Sequence, residues 1–172
     1  MDLLTGLFAG MFVLAIILVI VGIALYLLYS YSLFTLASNR GIDLAWLAFI
    51  PIAQLYILGK LIIHFRFNGK VYNQAPAEWV LVGVSILTAF TSGGLNSLLS
   101  LIGFLLFILA SYNVYCIYKR ESAGIYTVLT IIPFIAPFLY FAIRDNEADL
   151  SELDQANSVE NTEENSNDIN MS

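Results

Sequence analysis

The 172-residue chain is 59% hydrophobic and 12% charged, with a mean hydropathy of +0.82, more apolar than a water-soluble core of this size requires. This places it among integral membrane proteins. All seven Lys and Arg lie at or before Arg144, and that part of the chain holds four acids, so residues 1–144 carry +3; nine acids and no base follow from Asp145, which excludes a basic nucleic-acid surface at either end.

Charge gaps define the spans. No charged residue occurs between Asp2 and Arg40, and none between Glu78 and Lys119, and about 20 helical residues suffice to cross a hydrocarbon core of about 30 Å. The first span is predicted over 7–29. It closes on Tyr26, Tyr29 and Tyr31, an aromatic cluster suited to the lipid–water boundary. Gly6 and Gly10 form a GxxxG pair at its start, a spacing that lets two helices approach closely.

The second span is predicted over 44–63. It enters through Trp46 and leaves through Lys60, His64 and Arg66, with Asn68-Gly69 as a helix C-cap. Pro51 breaks its hydrogen-bond ladder and frees the carbonyl of Leu47; such a carbonyl in lipid needs another donor. Gln54 lies on the same helical face and is the candidate donor. Lys60 is six positions further on, about 120° away around the helix at 3.6 residues per turn, and snorkels to the headgroups. The plainer reading of the three is a kink, an interhelical hydrogen bond and an interfacial lysine.

The forty uncharged residues after Glu78 are too many for one crossing, and Thr91-Ser92-Gly93-Gly94 supplies a turn inside them. They read as a helical hairpin, with a short third span over 79–91 and a fourth over 95–118. Asn96, Ser97 and Ser100 resemble an N-terminal cap turn, and Asn113, deeper in the fourth span, is expected to hydrogen-bond a neighbouring helix. The fifth span is predicted over 125–143, with Pro133 and Pro137 freeing the carbonyls of Leu129 and Pro133. Residues 145–172, rich in Asn, Ser and Glu without an aromatic residue, form the second region, an acidic tail expected to be disordered.

The expected fold is therefore an all-α membrane protein of about five transmembrane helices, or four plus a re-entrant segment at 44–63. Counting Lys and Arg by loop favours a cytoplasmic position for 60–78 and 119–120. With one crossing after those loops, the C-terminal tail comes out extracellular. Residues 30–56 can also be laid over 111–140: each begins Ser-Tyr and continues through a basic linker, a Gly-Ile pair, an Ile-Pro and a Leu-Tyr before a terminal base. This suggests an internal duplication of 30–60 and 111–144. Five full crossings make the halves inverted, as in a known transporter design, whereas a non-crossing second segment makes them parallel.

Catalytic patterns are missing from the sequence. His64 is the only histidine, the predicted spans hold no carboxylate, and no phosphate loop or Cys/His metal spacing occurs. No enzyme activity, cofactor or metal is expected. Trp46-Leu-Ala-Phe49-Ile50-Pro51-Ile52, running into Leu55-Tyr56 and Gly59-Lys60, resembles a class of small multi-pass membrane proteins of unknown function from Gram-positive bacteria. The resemblance covers about Ser32 to Leu61 and implies a bacterial cytoplasmic membrane address without any catalytic residue. The expected function is non-enzymatic, through helix–helix contacts in an accessory, regulatory or immunity-type role. Its partners would be the lipid bilayer and another membrane protein or a second copy. The alternative is a small oligomeric transporter or channel built from two proline-broken repeats.

Overall fold

The computed structural model describes residues 3–62, 64–67, 70–73, 77–149 and 151. Helix α1 (Leu3–Asn39) is followed by a 3₁₀ turn (Ala45–Phe49) and α2 (Ala53–Leu61). A strand pair comes next, β1 (His64–Phe67) and β2 (Lys70–Asn73), antiparallel with His64 opposite Asn73 and Phe67 opposite Lys70. Helices α3 (Ala77–Phe90) and α4 (Gly94–Tyr118) form a hairpin, and a 3₁₀ turn (Arg120–Ser122) leads to α5 (Ala123–Thr130) and α6 (Ala136–Ile143). The fold is all-α as expected, apart from the short strand pair.

Among the described residues two helices are long and apolar enough to cross a membrane: Gly6–Asn39, with a hydropathy of 3.1, and Gly94–Tyr118, with 2.0. Their most apolar stretches are 0% and 11% buried. A core helix of a water-soluble protein would bury that surface, so exposure rather than apolarity alone sets these two apart. The other predicted spans are shorter or broken. The segment 44–63 is a 3₁₀ turn, a break at residues 50–52 and a nine-residue helix, and 125–143 is split by the break 131–135. At 1.5 Å per residue, α2, α5 and α6 are each about 12–14 Å long, less than half of a hydrocarbon core. Proline is the cause in both places, since it removes a ladder donor and its ring clashes with the preceding turn.

Both broken segments return to the end from which they set out. Asn39 Nδ2 donates to the carbonyl of Arg144 at 3.3 Å, Arg40 Nη1 to the carbonyls of Lys60 and Leu61 at 3.3 and 2.8 Å, and Asn146 Nδ2 to that of Tyr118 at 2.9 Å. The C-terminal ends of α1, α2, α4 and α6 therefore meet at one pole. Asp149 N also bonds the carbonyl of Ile117 at 2.8 Å, so the start of the tail lies beside the end of α4. The rest of the tail, 150 and 152–172, lies outside the described residues.

Local signals explain the ends. α1 stops in a Schellman motif: Gly41 has φ +64°, Gly41 N bonds the carbonyl of Ser38 and Ile42 N that of Ala37, both at 2.9 Å. Between α3 and α4, Gly93 has φ +74° and ψ −152°, backbone space open to glycine alone. Asn96 does not cap α4. It donates back to the carbonyls of Thr91 and Thr88 at 2.7 and 3.3 Å and so closes the end of α3. Helix α2 ends at Leu61; Asn68-Gly69, read as the C-cap of the second span, lies outside the described residues.

The core sits in the half of the bundle nearest the common pole. Leu33, Leu36 and Ala37 of α1, Ile57, Leu58 and Leu61 of α2, Val114, Tyr115 and Ile117 of α4, and Tyr140 and Ile143 of α6 are buried together. The opposite half of α1, residues 6–24, is exposed throughout.

Candidate intramembrane site

Polar side chains are buried where the long helices meet the broken segments, and they divide into two groups. In the first, Gln54 Nε2 donates to Ser30 Oγ at 2.6 Å, and Ser30 Oγ in turn donates to the carbonyl of Tyr26 at 2.9 Å. In the second, Tyr140 Oη donates to Ser111 Oγ at 2.9 Å, and Tyr115 Oη lies 2.9 Å from Thr130 Oγ1. Thr130 gives its single hydroxyl proton to the carbonyl of Tyr126 at 2.8 Å, which leaves Tyr115 as the donor of that pair. The rings stack as well: Tyr140 lies 5.1 Å from Tyr29, edge to face, and 5.3 Å from Tyr115.

The proline breaks are satisfied from within the chain. Ile50 N bonds the carbonyl of Leu47 at 3.0 Å, and Ile132 N bonds that of Leu129 at 3.1 Å, both in 3₁₀ geometry. Tyr26 Oη donates to the carbonyl of Phe49 at 2.6 Å. Gln54 therefore does not serve the Leu47 carbonyl, as its shared helical face suggested; its amide reaches α1 instead. Pro51 and Pro133 stand exposed at the tips of their breaks, whereas Pro137 is buried in the first turn of α6, where a missing N–H costs nothing.

Lys60 lies apart from this interior. It is exposed at the pole and forms an ion pair with Glu78 at 3.2 Å. Hydrogen bonding to Glu78 raises the Lys60 ammonium above its ordinary range. Asn113 is buried and donates to the carbonyl of Leu109 within α4 at 2.8 Å. Gly6 and Gly10 are exposed, and a Cβ built on either meets nothing within 4 Å. Sequence reasoning thus singled out one member of the buried groups, Gln54, and missed Ser30, Ser111, Tyr115, Thr130 and Tyr140. The available signal was the Ser-Tyr that opens both halves of the proposed duplication, since Ser30 and Ser111 hold equivalent places in it.

Beside the tyrosines, a cavity of about 440 Å³ opens between α1, α4 and the break before α6. Gly22, Leu25, Phe104, Phe107, Pro133 and Phe134 contribute to its wall, and no acid, base, histidine or cysteine lines it. Among the described residues no group of three or more His, Cys, Asp or Glu is placed to hold a metal ion. The arrangement offers hydroxyl–hydroxyl and amide–hydroxyl bonds that lock helices together, next to an apolar space. Comparisons of the chain with protein-family models, curated proteins and solved structures gave no match.

Proposed function

We propose that this is a non-enzymatic, multi-pass protein of a bacterial cytoplasmic membrane that acts through helix contacts inside the bilayer, in an accessory, regulatory or immunity-type role. In this reading α1 and α4 cross, α3 pairs with α4, and the segments 44–63 and 125–143 are re-entrant. Arg40, Lys60, Lys119, Arg120 and Arg144 then share one face, which the positive-inside rule assigns to the cytoplasm. The chain's N-terminus lies outside, and the acidic tail begins on the cytoplasmic side. The parallel direction of α1 and α4 supports a duplication with parallel halves, each a long helix followed by a proline-broken hairpin. The halves interlock, because α6 packs on α1 and α2 packs on α4.

The observation that carries this reading is the first half of α1. Every position from 6 to 24 is exposed, so the most apolar surface of the chain is free for a partner in the bilayer, a second copy or another membrane protein. The buried polar groups support contact over transport, since Gln54 is already engaged by Ser30 and no passenger is needed to satisfy it. A photo-crosslinker at Phe8 or Met11 should trap a partner in intact membranes, and Gly6→Leu or Gly10→Leu should abolish the adduct while the abundance and melting temperature of the chain stay unchanged. Adducts that persist in both variants would refute the Gly6–Gly10 spacing as the contact, and the absence of any adduct from either position would refute α1 as the contact surface.

A further inference from the structure

The cavity beside the tyrosines is an open cleft, bounded in part by exposed Gly22, Phe104, Pro133 and Phe134, and it offers few of the two to four polar partners that an ordered water needs. Tyr26 and Thr130 at its wall give their hydroxyl protons to the carbonyls of Phe49 and Tyr126, and the Tyr29 hydroxyl is itself buried out of reach. Left unfilled, the cleft would forgo dispersion contacts along its apolar lining, and in lipid the medium that reaches an open apolar cleft is hydrocarbon. The volume falls within the range of small-molecule sites, about 300–1,000 Å³, and two membrane-length helices form its sides.

We propose that this cavity binds one hydrocarbon chain, the acyl chain of a bilayer lipid, which inserts between α1 and α4 and ends against the break before α6. The inference rests on the membrane reading above. No charged group and no accessible unsatisfied polar group meets the chain, so recognition is by length and shape, and the lipid headgroup stays outside the cavity. Gly22 lies on the cavity wall and a Cβ there meets nothing within 4 Å, so a large side chain at this position has free space to occupy in competition with the acyl chain. The occupied cavity props the α5–α6 hairpin at Pro133 and Phe134, where the backbone has left regular helix.

The test uses the full chain in phosphatidylcholine vesicles in which a fraction of the lipid carries a diazirine in its acyl chain. Irradiation and peptide mapping should label half-buried Tyr29 and Phe107 in the cavity as well as exposed Leu14 and Ile17 of α1. Gly22→Leu should remove the label from Tyr29 and Phe107 and leave that on Leu14 and Ile17. Leu25→Phe serves as a second plug with the same expectation, and Gly22→Ala, one methyl in open space, should keep the cavity label. Label on Leu14 and Ile17 without any on the cavity wall of the unaltered chain would overturn the lipid site alone. Cavity label that persists in both plugged variants would also overturn it. Absence of label from the whole of α1 would overturn the membrane reading beneath it.

Discussion

Gly59 shows how much can depend on one missing methyl group. It lies where α2 meets the first turn of α3, and a Cβ there would fall on the backbone N and Cα of Glu78. Backbone cannot move aside as a side chain tip can, so Gly59→Ala should separate α2 from α3 and break the Lys60–Glu78 pair; a fall in melting temperature in detergent checks it. The buried pair Gln54–Ser30 makes a sharper comparison. Ser30→Ala strands the Gln54 amide and should cost about 1–3 kcal/mol, whereas the double change Ser30→Ala with Gln54→Leu removes both partners and should recover much of that loss. Arg40→Lys is not conservative here, because Arg40 Nη1 bonds two carbonyls at the end of α2 and stands one covalent bond further from the backbone than a lysine ammonium. The lysine variant should melt lower than the parent.

At the scale of elements, the sidedness proposed above rests on the two proline-broken hairpins. Single cysteines at Asn39, Glu121 and Asn146, in a chain whose Cys116 has been replaced, should react with an impermeant maleimide from one side of sealed vesicles, and a cysteine at Ser92 should react only from the other. Labelling of positions 121 and 146 from opposite sides would restore a crossing fifth helix. The same pole gathers four helix C-termini, whose partial negative charges repel one another and attract the cations found there. Lys60 adds to this through Glu78. Because its ammonium is held above the ordinary value of about 10.4, the stabilisation it contributes is complete below that value and disappears only as pH climbs through the raised one. The α2–α3 contact should therefore keep its Lys60 contribution throughout the neutral range; amide exchange in α2 followed from about pH 7 to 9 tests this, with no Lys60-dependent loss expected.

For the molecule as a whole, the exposed apolar surface is the governing quantity. α1 is about 55 Å long at 1.5 Å per residue, well beyond a hydrocarbon core of about 30 Å, so the proposed membrane reading requires it to tilt or to project past the acyl region. Transferred to plain buffer, the chain should aggregate, and a monodisperse species without detergent would refute lipid as its solvent. Sequence alone was enough to find the apolar stretch of α1, though not its continuation to Asn39, the α3–α4 hairpin with its turn at residues 91–93, and the breaks at Pro51 and Pro133, because these depend on local chemistry: charge gaps, glycine at positive φ, a missing N–H. Whether a broken segment crosses or returns is a different kind of fact. Residues 125–143 contain enough apolar positions for either, and only the bonds from Asn39 to Arg144 and from Asn146 to Tyr118 bring their ends together. The candidate site was hidden for the same reason. Serine, threonine and tyrosine carry no pattern of their own in an apolar chain, and Ser111 and Tyr140 become partners only when α6 folds back along α4, twenty-nine positions away in sequence.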